Sequence, residues 1–162
     1  MSAPHRRYVR LRAAALASAL ALGTLVPACA GMIAEEVHIE FATASYVFPQ
    51  HPSVVLSAAQ DVLFASGYMV SAANPNSLET RWKTSNEGER RSRRLVRVEP
   101  TPEGTRLTAM IAHQALDNDG DWWGSPVARD AYFELQVIEL LDASAAARIR
   151  VDAFEARQQA RK

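Results

Sequence analysis

The chain has 162 residues, with 18 Lys and Arg against 18 Asp and Glu, so its formal net charge is zero. Hydrophobic residues make up 48% and charged residues 22%, which excludes a disordered, collagenous or coiled-coil chain. One cysteine excludes an internal disulfide framework, and the length suits a single domain with appendages.

The charge balance averages two unlike pieces. Up to residue 28 there are four arginines (Arg6, Arg7, Arg10 and Arg12) and no acid. From Cys29 onward, 14 basic residues remain against 18 acidic ones, a net of −4. After the basic start, Ala13 to Val26 form an uncharged run of 14 residues rich in Ala and Leu, followed by small residues. This is the pattern of a secretory signal. The run falls short of the roughly 20 residues needed to cross a bilayer core of about 30 Å. Residues 1–28 are therefore read as an address and set aside from the fold.

Val26-Pro27-Ala28-Cys29 resembles the lipobox of bacterial lipoproteins, with an aliphatic residue three before the cysteine and a small residue just before it. In that family the cysteine thiol receives a diacylglycerol, the signal is cut before it and the new amino terminus is acylated. Pro27 departs from the usual small or aliphatic residue. The resemblance implies lipidation, palmitate included, at Cys29. Ala30 in place of Asp implies the outer membrane rather than inner-membrane retention. Acyl chains contribute roughly 0.8 kcal/mol per buried CH₂, enough for durable anchoring when two or three are present. Arg6-Arg7 resembles a twin-arginine signal, but His5 before and Tyr8-Val9-Arg10 after match poorly, which favours general secretion.

Ala30 to Glu36 is a brief tether, reaching at most about 25 Å if extended. Val37, Ile39 and Phe41 alternate with His38, Glu40 and Ala42, a period-2 pattern that predicts a strand running toward Phe48. Pro52 suits the first turn of a helix, Val55, Ala58, Ala59, Val62, Leu63 and Ser66 follow helical spacing, and Gly67 suits its end. Tyr68 to Ala72 reads as a short strand. After the turn Asn74-Pro75-Asn76, Leu78, Thr80, Trp82 and Thr84 give a strand with one inner face. Arg93 to Glu99 and Thr105 to Ala112 read as a hairpin around Pro100-Thr101-Pro102-Glu103-Gly104, with Leu107, Ala109 and Ile111 on one face. An Asp, Asn, Gly and Trp loop follows.

Ser125-Pro126 predicts the opening of a second helix. Phe133, Val137, Leu140 and Leu141 form its stripe, flanked by Tyr132 and Ile138. Residues 143–162 favour helix but carry few apolar anchors, chiefly Ile149, Val151 and Phe154; they extend the helix or form a frayed tail. The expected fold is α+β: a small antiparallel sheet with two helices packed on one face, helix-grip-like, over residues 37–142.

The helix closed by Gly67-Tyr68, the segment Leu78-Glu79-Thr80-Arg81-Trp82, and the hairpin of Arg94-Leu95-Val96-Arg97 with Gly104-Thr105-Arg106-Leu107-Thr108 resemble a BamC-like domain. Such domains belong to lipoproteins of the outer-membrane β-barrel assembly machinery. The resemblance covers about residues 45–142 and implies a binding module without catalysis.

The residues offer little chemistry. His38, His51 and His113 have no partner at a recognisable spacing, and there is no phosphate loop and no zinc-type pairing, so neither an enzyme, a metal nor a cofactor is expected. Counting an EF-hand from Asp117 places Trp122 and Ala128 where Gly and Glu are required, so Asp117–Asp121 reads as a solvated turn, with a weak adventitious cation site as the alternative. Trp122-Trp123 either cap the sheet against Trp82 or anchor a partner.

Arg90, Arg91, Arg93, Arg94 and Arg97 are either a solvated strand face paired with Glu87, Glu89 and Glu99, or a surface for anionic lipid, lipopolysaccharide, peptidoglycan acids or an acidic protein. Arg93 and Arg97 share a face. Nucleic acid is excluded by the expected compartment. The expectation is a periplasm-facing, lipid-anchored protein that binds an envelope protein through Trp122, Trp123, Arg93 and Arg97. The competing reading is a module holding a lipid or small apolar ligand between helix and sheet.

Overall fold

The structure, a computed structural model, describes residues 29–85 and 87–162. The expected signal peptide, with Val26-Pro27-Ala28 of the lipobox-like stretch, lies outside the described residues. What is described is an α+β fold in which helices pack on an antiparallel sheet.

The first element corrects the sequence reading. Residues 29–45 form a helix, α1, in place of a tether followed by a strand. Its Ala, Met and Glu residues are strong helix formers. The alternation of Val37, Ile39 and Phe41 coincides with a helical pattern of spacing four. Ile39 and Thr43 are buried, whereas Val37 and Phe41 are exposed. Over residues 29–36 a helix rises only about 12 Å, half the reach expected of an extended tether.

Helix α2 (Pro52–Ala65) forms as expected. Pro52 occupies the first turn, the His51 imidazole accepts the Ser53 N–H, and Gly67 follows with φ +74°. Val55, Ala58, Ala59 and Leu63 are its buried face. The strands β1 (Val70–Asn74), β2 (Ser77–Thr80), β3 (Lys83–Thr84), β4 (Arg90–Thr101), β5 (Gly104–Leu116), β6 (Trp122–Gly124) and β7 (Ala128–Arg129) pair antiparallel. Their order is β1-β2-β4-β5-β6, with β3 beside β4 and β7 beside β5. The hairpin β4–β5 is continuous from Arg90↔Ala115 to Thr101↔Gly104. Gly104 adopts φ +148°, and a Cβ there would stand 2.1 Å from the Phe48 carbonyl oxygen, because Phe48 bridges to Thr105. Only glycine fits that approach.

The second half departs from the expectations at three places. Ser125-Pro126 does not open a helix; the chain first adds β7, and α3 (Ala131–Leu141) begins after Asp130, whose carboxylate accepts the Phe133 N–H at 3.1 Å. The inner stripe of α3 is Phe133, Glu134, Val137 and Ile138, while Leu140 and Tyr132 are exposed. The Asp, Asn, Gly and Trp segment is a tight hairpin, not an open loop, since Trp122–Gly124 pair with β5. Residues 143–162 are not frayed: α4 (Ala143–Gln159) buries Ala145, Ala146, Ile149 and Ala153. Three of these four are alanines; of the expected anchors only Ile149 is buried, and Val151 and Phe154 face solvent.

The described residues fall into two units. One comprises residues 39–150, with its core made of Val55, Ala59, Leu63, Leu78, Val96, Val98, Leu107, Ala109, Phe133 and Val137. The other joins α1 up to His38 with Val151–Lys162. Within that second unit Glu35 pairs with Arg157 at 2.9 Å, and a side chain on Gly31 would meet Arg161 Nε at 2.9 Å. The two segments therefore run antiparallel, and Arg161 stands beside the end that carries Cys29.

Candidate functional site: the open face of the sheet

Side chains alternate across a strand, so β4 sorts its residues onto two faces. Val96 and Val98 are buried on the face against which α2 packs. Arg91, Arg93, Leu95, Arg97 and Glu99 point the other way, where no helix of this unit covers them, and all but Arg91 are exposed. The register adds neighbours on the same face: Glu79 opposite Leu95, Ser77 opposite Arg97, Met110 opposite Leu95 and Gln114 opposite Arg91.

At one end of this face arginines and tryptophans interleave. The Arg91 guanidinium carbon lies 4.8 Å from the centre of Trp82 and 4.1 Å from that of Trp122. Arg93 lies 5.0 Å from Trp82 on the same ladder. Arg91 Nε donates to Gln114 Oε1 at 2.7 Å, which fixes the guanidinium between the two indoles. Such contacts stabilise by about 0.5–1 kcal/mol when exposed and by about 2 kcal/mol when desolvated. Arg93 also bonds Glu79 at 3.1 Å, an exposed pair that contributes at most about 1 kcal/mol.

The five arginines thus divide. Arg94 turns inward, with its Nε 2.6 Å from Asp130 and its guanidinium 4.4 Å from the Tyr68 ring. Arg91 and Arg93 are held by Trp82, Trp122 and Glu79. Neither Arg90 nor Arg97 forms an ion pair among the described residues, and the carboxylates of Glu87, Glu89 and Glu99 pair with none of the five.

The tandem tryptophans also divide. Trp122 joins the ladder on the open face, whereas Trp123 faces the opposite side and is 62% exposed. The predicted set Trp122, Trp123, Arg93 and Arg97 is therefore not one surface: three of its members share the open face, and Trp123 leaves it. Trp82 was expected on the inner face with Leu78 and Thr80. The strand breaks after Thr80, and Trp82 stacks on the outward arginines instead.

The other candidates have local roles. His51 caps α2, His38 lies on α1, and His113 is exposed on β5. Asp117 Oδ1 accepts the N–H groups of Asp119 and Asp121 at 3.0 and 2.8 Å, which explains the acidic turn as the tip of the β5–β6 hairpin. Among the described residues no group of three or more His, Cys, Asp or Glu could hold a metal ion, and no helix is long and apolar enough to cross a membrane. Cys29 is exposed and free.

The core side chains between helices and sheet, Val55, Ala59, Leu63, Val96, Ala109 and Val137, are fully buried. Glu134, also buried, accepts the Ala109 N–H at 2.8 Å through Oε1 and pairs with Arg129 at 2.7 Å through Oε2, tying α3 to β5 and β7. Compared with family models, curated proteins and solved structures, the chain matches none.

Proposed function

We propose that this chain is a non-catalytic lipoprotein of the outer membrane, acylated at Cys29 and facing the periplasm. Its domain docks an acidic envelope protein on the open face of the sheet, in the service of outer-membrane assembly or maintenance. The anchor rests on the basic, apolar and small-residue order of the first 28 residues and on the lipobox likeness. It is supported by the position of Arg161 beside Gly31, two residues from Cys29, where positive charge suits an anionic lipid surface.

The observation that carries the docking reading is the exposed row Arg93, Leu95 and Arg97 beside the Arg91–Trp82–Trp122 ladder. In a product of net charge −4 this face carries Arg91, Arg93 and Arg97 against Glu79 and Glu99, around the apolar Leu95. Arginine and tryptophan are the side chains on which binding energy concentrates at protein interfaces, and charge complementarity selects an acidic partner.

The anchor is tested by substituting Cys29→Ser in the secreted chain. The variant is expected to lose metabolic labelling by a palmitate analogue and to leave the membrane fraction. A Cys29→Ser chain that stays membrane-bound, with the parent chain unlabelled, overturns the anchor.

A further inference from the structure

The inner face of the sheet carries a second feature, on the side opposite the docking face. Lys83 pairs with Ser92 and Ser92 with His113; one step further out, Arg90 pairs with Ala115 and Ala115 with Trp123. By strand alternation all six side chains share the face of Val96 and Val98. Two adjoining recesses open there, of about 230 and 330 Å³, and both are lined by Arg90 and His113. Lys83, Tyr68 and Ser92 line the first, and Gln114, Trp123 and Ser125 the second.

No acidic residue lines either recess. In a product with 14 basic and 18 acidic residues, a concavity with Lys83, Arg90 and His113 and no carboxylate holds a concentrated positive potential. The groups are placed as well as charged. Lys83 Nζ donates to the Ser66 carbonyl at 2.6 Å and lies 5.1 Å from the Tyr68 ring, and the Tyr68 hydroxyl bonds Ser92 Oγ at 2.6 Å. Arg90 forms no ion pair among the described residues, which leaves its guanidinium fork for an oxyanion. Trp123 stands at the rim with its flat apolar face open, 62% exposed.

We propose that the paired recess binds a phosphate monoester. Arg90 and Lys83 take the phosphate oxygens, His113 and Ser92 add donors, and the Trp123 indole covers the carbon skeleton. A dianion with three terminal oxygens uses several separated donors where a carboxylate uses two. The phosphate comes either from a free phosphoester or from a lipid headgroup.

The test uses the full chain carrying Cys29→Ser, which has no acyl anchor: calorimetric titration with inorganic phosphate and with glycerol 3-phosphate, and sedimentation with phosphatidylcholine vesicles with and without phosphatidic acid. Arg90→Glu and Lys83→Ala are each expected to weaken glycerol 3-phosphate binding at least tenfold. Trp123→Ala should weaken glycerol 3-phosphate more than inorganic phosphate, and Arg97→Ala, on the opposite face, should change neither. Phosphatidic acid vesicles that bind and are released by Arg90→Glu identify the headgroup as the source; titration without vesicle binding identifies the free ester. Should Lys83→Ala fail to fold, Arg90→Glu, at an exposed position without an ion pair, decides alone. No binding of either phosphate, or equal weakening by Arg97→Ala and Arg90→Glu, overturns the proposal.

Discussion

Arg91 and Trp122 come from strands that do not pair with each other, yet the guanidinium carbon lies 4.1 Å from the indole centre. Gln114, on the strand between them, holds Arg91 at 2.7 Å, and Trp82 closes the other side at 4.8 Å. The end of the open face is therefore preassembled, with little side-chain entropy left to lose when a partner binds.

This arrangement predicts coupling. Arg91→Ala and Trp122→Ala should each destabilise the fold by about 1–2 kcal/mol, and the double variant by less than their sum, with a coupling of about 0.5–2 kcal/mol. Urea unfolding of the four-member cycle measures it. Additive losses would show that the two groups are merely adjacent.

Glu134 is a buried charge of the core, with 1% of its side chain exposed. Glu134→Leu leaves Arg129 and the Ala109 N–H without their partner and should cost about 3 kcal/mol. Glu134→Gln keeps the amide bond and should cost only about 1 kcal/mol. Equal effects in chemical denaturation would argue that volume, not the bonding pattern, holds α3 on the sheet.

The Tyr46 hydroxyl donates to Asp142 at 2.9 Å, and both groups titrate abnormally. Burial first, then the bond to Asp142, pushes Tyr46 up to about 12 from an ordinary 10.0. The Ala145 N–H first, then the Ser144 and Tyr46 hydroxyls, hold Asp142 down at about 2 from 3.8. A depressed carboxyl stabilises the fold above its unfolded value, so the Asp142 contribution is lost as pH falls from 3.8 toward 2. A raised phenol stabilises below its unfolded value, so the Tyr46 contribution is lost as pH rises from 10.0 toward 12. Tyr46→Phe should abolish the alkaline loss and shrink the acid one in thermal unfolding across pH. An unchanged alkaline limb would contradict the assignment.

Much of the fold was legible in the sequence because local signals agreed with tertiary demand. Pro52 and Gly67 bounded α2, and Pro102 with Gly104 marked the long hairpin. α1 is hidden in the sequence because Val37, Ile39 and Phe41 alternate with period two, whereas the buried helical positions are Ile39 and Thr43, four apart, and the surrounding Ala and Glu residues favour helix. The start of α3 lies beyond Ser125-Pro126 because Ala128–Arg129 pair with β5 and the Asp130 carboxylate caps the helix instead, a tertiary pairing that Ser125-Pro126 does not signal. For the site, the arginine run was visible but its partition was not. Glu79 and Asp130 are distant in sequence from the arginines they bind, and only sheet register brings them there. The division of Trp122 from Trp123 follows from strand alternation, which a loop reading conceals.

The central claim is that the open face docks an acidic envelope protein. It is tested most directly by a photo-crosslinking amino acid placed at Leu95, between Arg93 and Arg97, in intact cells. The account predicts an adduct with an acidic envelope protein that is lost in Arg93→Glu and Arg97→Glu chains and absent when the crosslinker replaces Phe64 on α2. No adduct at Leu95, or the same adduct from Phe64, would contradict it.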